Sequence, residues 1–250
     1  MGVSLLLGTL VLAVASAPDA RFREANGLVL EGDAVAAVEI YRELAATGHE
    51  SASLYWNWAQ AAAARGELGQ ALWALQRGRE IEPSDARLGQ EIEVLREAAS
   101  LDPAELTPEP LQALARTSRR WHLGLASLAL LLLSLSCHAI ARQIRGARWA
   151  APAAWATFTV AACLAALPLT AGLARPTAVI VTADAPLFDA ASTTAEAIAT
   201  LREGEVVPVI ETSGDYLRIE DSAGSRGWAL PRDVWRLDRG PRPRAPPVAE

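Results

Sequence analysis

The alternation of apolar and polar positions changes period along this chain, and each change marks a new element. Between residues 18 and 100 apolar residues recur at helical spacing. Two unbroken apolar runs follow, Trp121 to Ile140 and Ala150 to Leu173, and neither contains an Asp, Glu, Lys or Arg. Each is close to the roughly 20 residues with which a helix crosses a hydrocarbon core about 30 Å thick, so the pattern predicts transmembrane helices over 121–140 and 150–173, joined by a turn at 141–149. Two crossings return the chain to its starting side. From 174 to 238 the period shortens to the alternation of β-strands.

The compartment follows from the N-terminus. Val3 to Val14 is an apolar stretch of signal-peptide length, and Ala15-Ser16-Ala17 supplies a small-x-small cleavage pattern. A signal peptide over 1–17 sends residue 18 onward to the outer face, even though no Lys or Arg precedes the run and Pro18 follows the cut. Arg142, Arg145 and Arg148 then make the turn cytoplasmic. Arg116, Arg119, Arg120 and Arg175 at the far ends nearly balance them, so the leader decides the orientation.

The first soluble segment, 18–100, repeats with a period of 34 residues: Ala25 aligns with Ala59, Gly32 with Gly66, Ala37 with Ala71 and Tyr41 with Leu75. That is the tetratricopeptide length. The second unit fits the motif through Tyr55, Trp58-Ala59, Ala62, Ala71, Leu75 and Pro83. The first is looser, with Arg21 and Glu24 at positions expected to be apolar and His49 in place of the proline. After Pro83, Ser84 is the expected cap of a further helix carrying Leu88, Ile92 and Leu95, read as the solvent cap of a short all-α array. The first helix of each pair lines the concave face of such arrays, which here places Trp56, Asn57 and Gln60 as candidate partner-binding residues. Packing of Trp56 against the neighbouring unit is an equal alternative.

Residues 101–120 contain a proline-rich break, LDPAELTPEP, followed by a juxtamembrane helix. In 174–238, five strands are expected, at Ala178–Thr182, Ala197–Leu201, Val206–Thr212, Tyr216–Glu220 and Arg226–Leu230, separated by Gly, Asp and Ser turns. They suggest a small all-β barrel. The run from Leu201 to Leu237, with turns at Gly204, Gly214, Gly224 and Gly227 and with Trp228 after the last, resembles a bacterial SH3-type domain. Tyr216 and Trp228 are the aromatics expected at its groove, with completion of the small core the competing role for Trp228. The tail, 239–250, is Pro- and Arg-rich and expected to be disordered, with a weak PxxP-like character.

Composition narrows the function. The chain is 51% hydrophobic with a formal charge of -6, and no arginine cluster outside the membrane flanks forms a phosphate-binding face, which argues against a nucleic-acid partner. Cys137 and Cys163 lie in the two apolar runs at heights differing by roughly 10 Å, so no disulfide is expected. The pair Cys137-His138 has no second ligand pair at zinc spacing. His49, His122 and His138 do not converge, and the chain has no HExxH, P-loop, GxSxG or dinucleotide fingerprint. Glu203 and Glu205 read as solvated turn residues. A non-enzyme with no cofactor and no metal is expected.

The order of parts, namely leader, short tetratricopeptide array, Arg-turned hairpin and C-terminal SH3-type domain, resembles the BatE proteins of the bacterial aerotolerance operon over residues 1–238. The resemblance implies a bacterial inner-membrane protein with both soluble domains periplasmic, partnered with von Willebrand A-type Bat proteins and linked to a MoxR-type ATPase and to stress tolerance. The expected role is a scaffold whose two modules, kept near each other by the shared anchor, contact protein partners. The alternative is an envelope-ligand receptor whose SH3-type domain binds peptidoglycan.

Overall fold

A computed structural model describes residues 17–102, 113, 117, 123–143, 150–169 and 175–239. The leader, most of the linker, the Arg turn and the tail therefore lie outside the described residues. Among those described, seven helices precede a seven-stranded antiparallel sheet. Two compact units result: residues 107–175 form one, and the N-terminal helices together with the C-terminal sheet form the other.

The helical part contains α1 (17–30), α2 (Ala34–Ala46), α3 (Ala52–Ala64), α4 (Leu68–Ile81) and α5 (Ala86–Ala98). The 34-residue period is kept in three dimensions, since α4 begins 34 residues after α2 and α5 begins 34 after α3. Gly32 and Gly66 occupy the same left-handed position in the turns between paired helices, with φ of +87° and +77°, a conformation that glycine adopts without steric cost. Ser51 caps α3 by accepting the Leu54 N–H at 3.1 Å. The cap of α5 is Asp85, which accepts from the Arg87 N–H, not Ser84 as expected. Asp85 holds the extended backbone that a cap requires and its carboxylate reaches the next turn.

Large side chains fill the space between helices at small-residue contacts. Ala25, Ala37, Ala59, Ala62 and Ala71 are buried, and so are Tyr41, Tyr55, Trp58, Trp73, Leu75, Leu88 and Ile92. Tyr55 stacks on Trp58 at 5.9 Å, and Trp73 meets Trp58 edge-on at 5.4 Å. Aromatic pairs in these geometries add about 0.5–1.5 kcal/mol each beyond the area they bury.

The sheet has seven strands, not five: β1 (Thr177–Ile180), β2 (Ala185–Phe188), β3 (Ala197–Leu201), β4 (Val206–Ser213), β5 (Tyr216–Glu220), β6 (Arg226–Ala229) and β7 (Val234–Arg236). The two unexpected strands are short. β2 carries Pro186 and β7 has three residues, so neither shows a readable alternation. The order is β3-β2-β6-β5-β4-β1-β7. β4 pairs with β1 through its first residues and with β5 through its last, and its register shifts between Val209 and Glu211. That bulge bends the strand and curls the sheet, so that Ile180, Leu187, Leu201, Val209, Leu217, Ala229 and Val234, one from each strand, share a single core.

The curled sheet is seated directly on the helices. Val179, Val181 and Leu237 join the helical core, and Trp235 meets Trp73 edge-on at 5.2 Å. The backbone of β1 lies against the first turn of α4 at Gly69, where a Cβ would stand 2.6 Å from Val181 Cα and closer still to the Ile180 carbonyl oxygen. The residue preceding α4, Glu67, makes no side-chain cap. Glu203 from the sheet accepts the Gly69 N–H at 2.7 Å instead. Trp73 Nε1 donates to the Arg236 carbonyl at 3.0 Å and Arg77 to the Leu237 carbonyl at 2.7 Å. Arg96, 2% exposed, donates to the carbonyls of Gly204 and Asp102. The last turn of α5, expected to face solvent, is thus docked. Glu203 and Glu205 are not solvated turn residues either: Glu203 caps a helix, and buried Glu205 accepts the Ser222 N–H.

In the other unit, α6 (Leu123–Gln143) and α7 (Ala150–Leu169) lie antiparallel, with the Ser134 hydroxyl donating to the Ala154 carbonyl at 2.8 Å. Buried positions recur every seven residues, Ser127 and Ser134 on α6 and Ala154 and Ala161 on α7, while Leu125, Leu128, Leu132, Leu133 and Leu135 point outward. Residues 123–140 are long and apolar enough to cross a membrane. The qualifying stretch of α7, Ala151–Ala166, is shorter.

Gly69→Ala is expected to lower stability by about 1–3 kcal/mol through overpacking against backbone, and Glu203→Ala by about 1 kcal/mol through loss of the cap. Thermal melts should show helix and sheet signals falling together in both variants. Separate transitions would contradict a single docked unit.

Candidate functional site

One face of the helical part is built from α1, α3 and α5, while the sheet meets α4, the end of α5 and, through Trp235, Trp58 on α3 and Arg42 on α2. Trp56, Asn57 and Gln60 stand half-buried on α3. Asn57 Nδ2 donates to Asn26 Oδ1 on α1 at 2.8 Å, and the Tyr41 hydroxyl donates to the same oxygen at 2.7 Å. Gln60 Nε2 donates to Glu91 Oε1 on α5 at 3.2 Å. The Arg87 guanidinium lies 5.6 Å from the Trp56 ring centroid. Each of the three residues therefore reaches a neighbouring helix and remains partly exposed. Asn26 and Arg87, which complete this face, were missed in the sequence because they come from the loosely matching first unit and from the helix read as a cap.

Burial tunes the phenols beneath this face. It pushes the Tyr41 hydroxyl up to about 12. It also raises Tyr55, whose hydroxyl donates to Glu50 at 2.7 Å, well above the ordinary tyrosine value, with Glu50 adding to the rise. The other Glu50 oxygen accepts from Arg77 at 2.7 Å, tying this network to the residue that holds the Leu237 carbonyl.

A second candidate surface is the outer face of the curled sheet. In β6, Gly227 and Ala229 turn inward, and a Cβ at Gly227 would stand 2.6 Å from Leu187 Cγ. Strand alternation therefore turns Trp228 outward. Its cross-strand neighbours are Arg218 on β5 and Phe188 on β2. The Arg218 guanidinium sits 5.9 Å from the Trp228 ring centroid and 3.5 Å from a Glu211 carboxylate oxygen. Tyr216 is on the same face of β5, two residues from Arg218. Trp228 thus belongs to a half-exposed stripe running Arg218–Trp228–Phe188 instead of to the core. Phe188 went unnoticed because its strand did.

Residues 181–236 match the bacterial SH3 domain family. The match begins immediately after β1 and ends with β7. It therefore spans the outer stripe, together with Glu203 and Trp235, but not β1. No curated protein and no solved structure matches the chain significantly. Among the described residues, no three His, Cys, Asp or Glu side chains gather as a metal site.

The buried tyrosines set an alkaline limit. Because their folded pKa values exceed the unfolded value of about 10, the stabilisation they bring is complete below about pH 10 and lost as the pH climbs through 12. Circular dichroism titration should show the helices unfolding in that window. Tyr41→Phe should move the transition to higher pH; an unchanged midpoint would remove Tyr41 from the cause.

Proposed function

We propose that this chain is a membrane-held, non-catalytic scaffold whose tetratricopeptide-like array receives a protein partner on the α1, α3 and α5 face. One observation carries the reading: α3 meets the SH3 domain through Trp58, whose ring touches Trp235, while Trp56, Asn57 and Gln60 on the same helix stay half-exposed. A half-exposed indole beside amide groups suits an extended peptide or a partner helix, with the ring supplying contact area and the amides meeting backbone groups. The 34-residue spacing of helices, caps and left-handed glycines supports the tetratricopeptide assignment.

The membrane part of the proposal rests on the inverted pattern of α6 and α7. In water a helix pair buries leucine and exposes serine, whereas here serine and alanine line the seam and leucine faces out. Close packing at small residues with lipid-facing leucines is how helices associate in a bilayer. With the leader cleaved or retained as an anchor, and the turn cytoplasmic, the array and SH3 domain stand on the periplasmic side of a bacterial inner membrane. The resemblance to the aerotolerance-operon proteins supports von Willebrand A-type Bat proteins as partners and a role in stress or oxygen tolerance.

A second reading is favoured by the SH3 match together with the stripe of Trp228, Phe188 and Arg218: the domain binds peptidoglycan, stacking sugar faces on the aromatics and meeting peptide carboxylates with the guanidinium. The two readings use different surfaces and separate cleanly. Affinity capture of the intact protein from membranes should lose partner recovery about tenfold in a Trp56→Ala, Asn57→Ala, Gln60→Ala variant; undiminished recovery would sink the scaffold reading. Co-sedimentation with purified cell-wall sacculi should be abolished by Trp228→Ala if the second reading holds, and absence of wild-type binding would dispose of it.

A further inference from the structure

The two edges of the seven-stranded sheet are treated differently. At one edge, β7 is covered by the helices, and the carbonyls of Arg236 and Leu237 accept hydrogen bonds from Trp73 and Arg77. At the other edge, β3 has β2 as its only strand neighbour. Its five residues, Ala197-Ile198-Ala199-Thr200-Leu201, carry no charge and no proline, the devices by which proteins usually blunt an open edge. The register with β2 pairs Leu187 with Ala199 and Phe188 with Ala197, and the shift between them leaves Ile198 without a partner on β2. Its side chain is 52% exposed.

From this we infer that β3 is a self-association edge: two copies of the chain pair their β3 strands antiparallel about a twofold axis at Ala199. Charge complementarity selects the second copy as occupant. With the axis at Ala199, Ile198 faces Thr200 of the other copy, Ala197 faces Leu201, and Glu196 comes opposite Arg202. Both charged residues are exposed and sit just outside the strand, so the dimer gains two symmetry-related ion pairs, one at each end of the joint. A shift of the axis by one residue to Ile198 sets Glu196 against Thr200 and loses both. Ala199 on the axis is small enough for the two backbones to approach, and the isologous arrangement closes on itself instead of growing into a fibre. One guanidinium nitrogen of Arg202 already donates to the Ala99 carbonyl at 2.7 Å, which holds the side chain in place and leaves its other N–H groups for the partner. The inference depends on the sheet alone and stands whichever ligand the SH3 domain or the array binds.

Native mass spectrometry of the full chain, released from detergent micelles over a range of concentrations, tests it. The expected result is a two-chain species that Ile198→Lys weakens at least tenfold in dissociation constant while melting temperature and circular dichroism stay unchanged, since the position is exposed. Glu196→Arg should weaken it likewise, and the Glu196→Arg, Arg202→Glu double variant should restore it. A single-chain species at every concentration would overturn the proposal. So would a dimer that survives Ile198→Lys, which would place association elsewhere, or a wild-type edge that binds only other proteins in a capture experiment.

Discussion

The larger of the two units depends on the contact between the first turn of α4 and the backbone of β1. At Gly69 the two backbone segments approach so closely that no side chain fits between them, and the N–H group at that point, which α4 does not cap for itself, is taken by Glu203 of the sheet. A helix N-terminus offers unsatisfied donors and a partial positive charge. A carboxylate arriving there from a distant segment both completes the helix and fixes the sheet. Trp73, Arg77 and Arg96 extend the contact by donating to the backbone carbonyls of Arg236, Leu237, Gly204 and Asp102. The helical part has two helix pairs and one extra helix. The SH3 domain covers part of its apolar surface, so Leu72, Leu101 and Val181 are buried in one core.

That docking changes the meaning of the two-module architecture. Modules linked only by a shared anchor gain from high effective concentration, whereas modules that share a core also hold fixed directions. The amide-bearing face of the array is built from α1, α3 and α5, and the aromatic stripe of the SH3 domain from β5, β6 and β2.

The second unit follows a different physical rule. Its two helices touch through Ser127, Ser134, Ala154 and Ala161, with leucines outside. The seven-residue recurrence of small side chains lets the backbones come close enough for a side chain to donate across the seam.

Local pattern alone determined the elements that repeat or run long. The 34-residue period, the apolar stretch over 123–140 and strands β3 and β5 were all legible, because period and length depend on residues close in sequence. The outward-facing Trp56, Asn57 and Gln60 were legible as far as their helix was, but their partners Asn26 and Arg87 were not. Strands β2 and β7 escaped notice because Pro186 and a three-residue length erase any alternation; pairing, not propensity, makes them strands. Glu203 and Glu205 look like solvated turn residues until the fold brings one to a helix end and buries the other. What only the tertiary structure decided is the joining of array and SH3 domain, since Gly69 and Glu203 lie 134 residues apart, and no sequence spacing announces that one is empty so that the other can reach it.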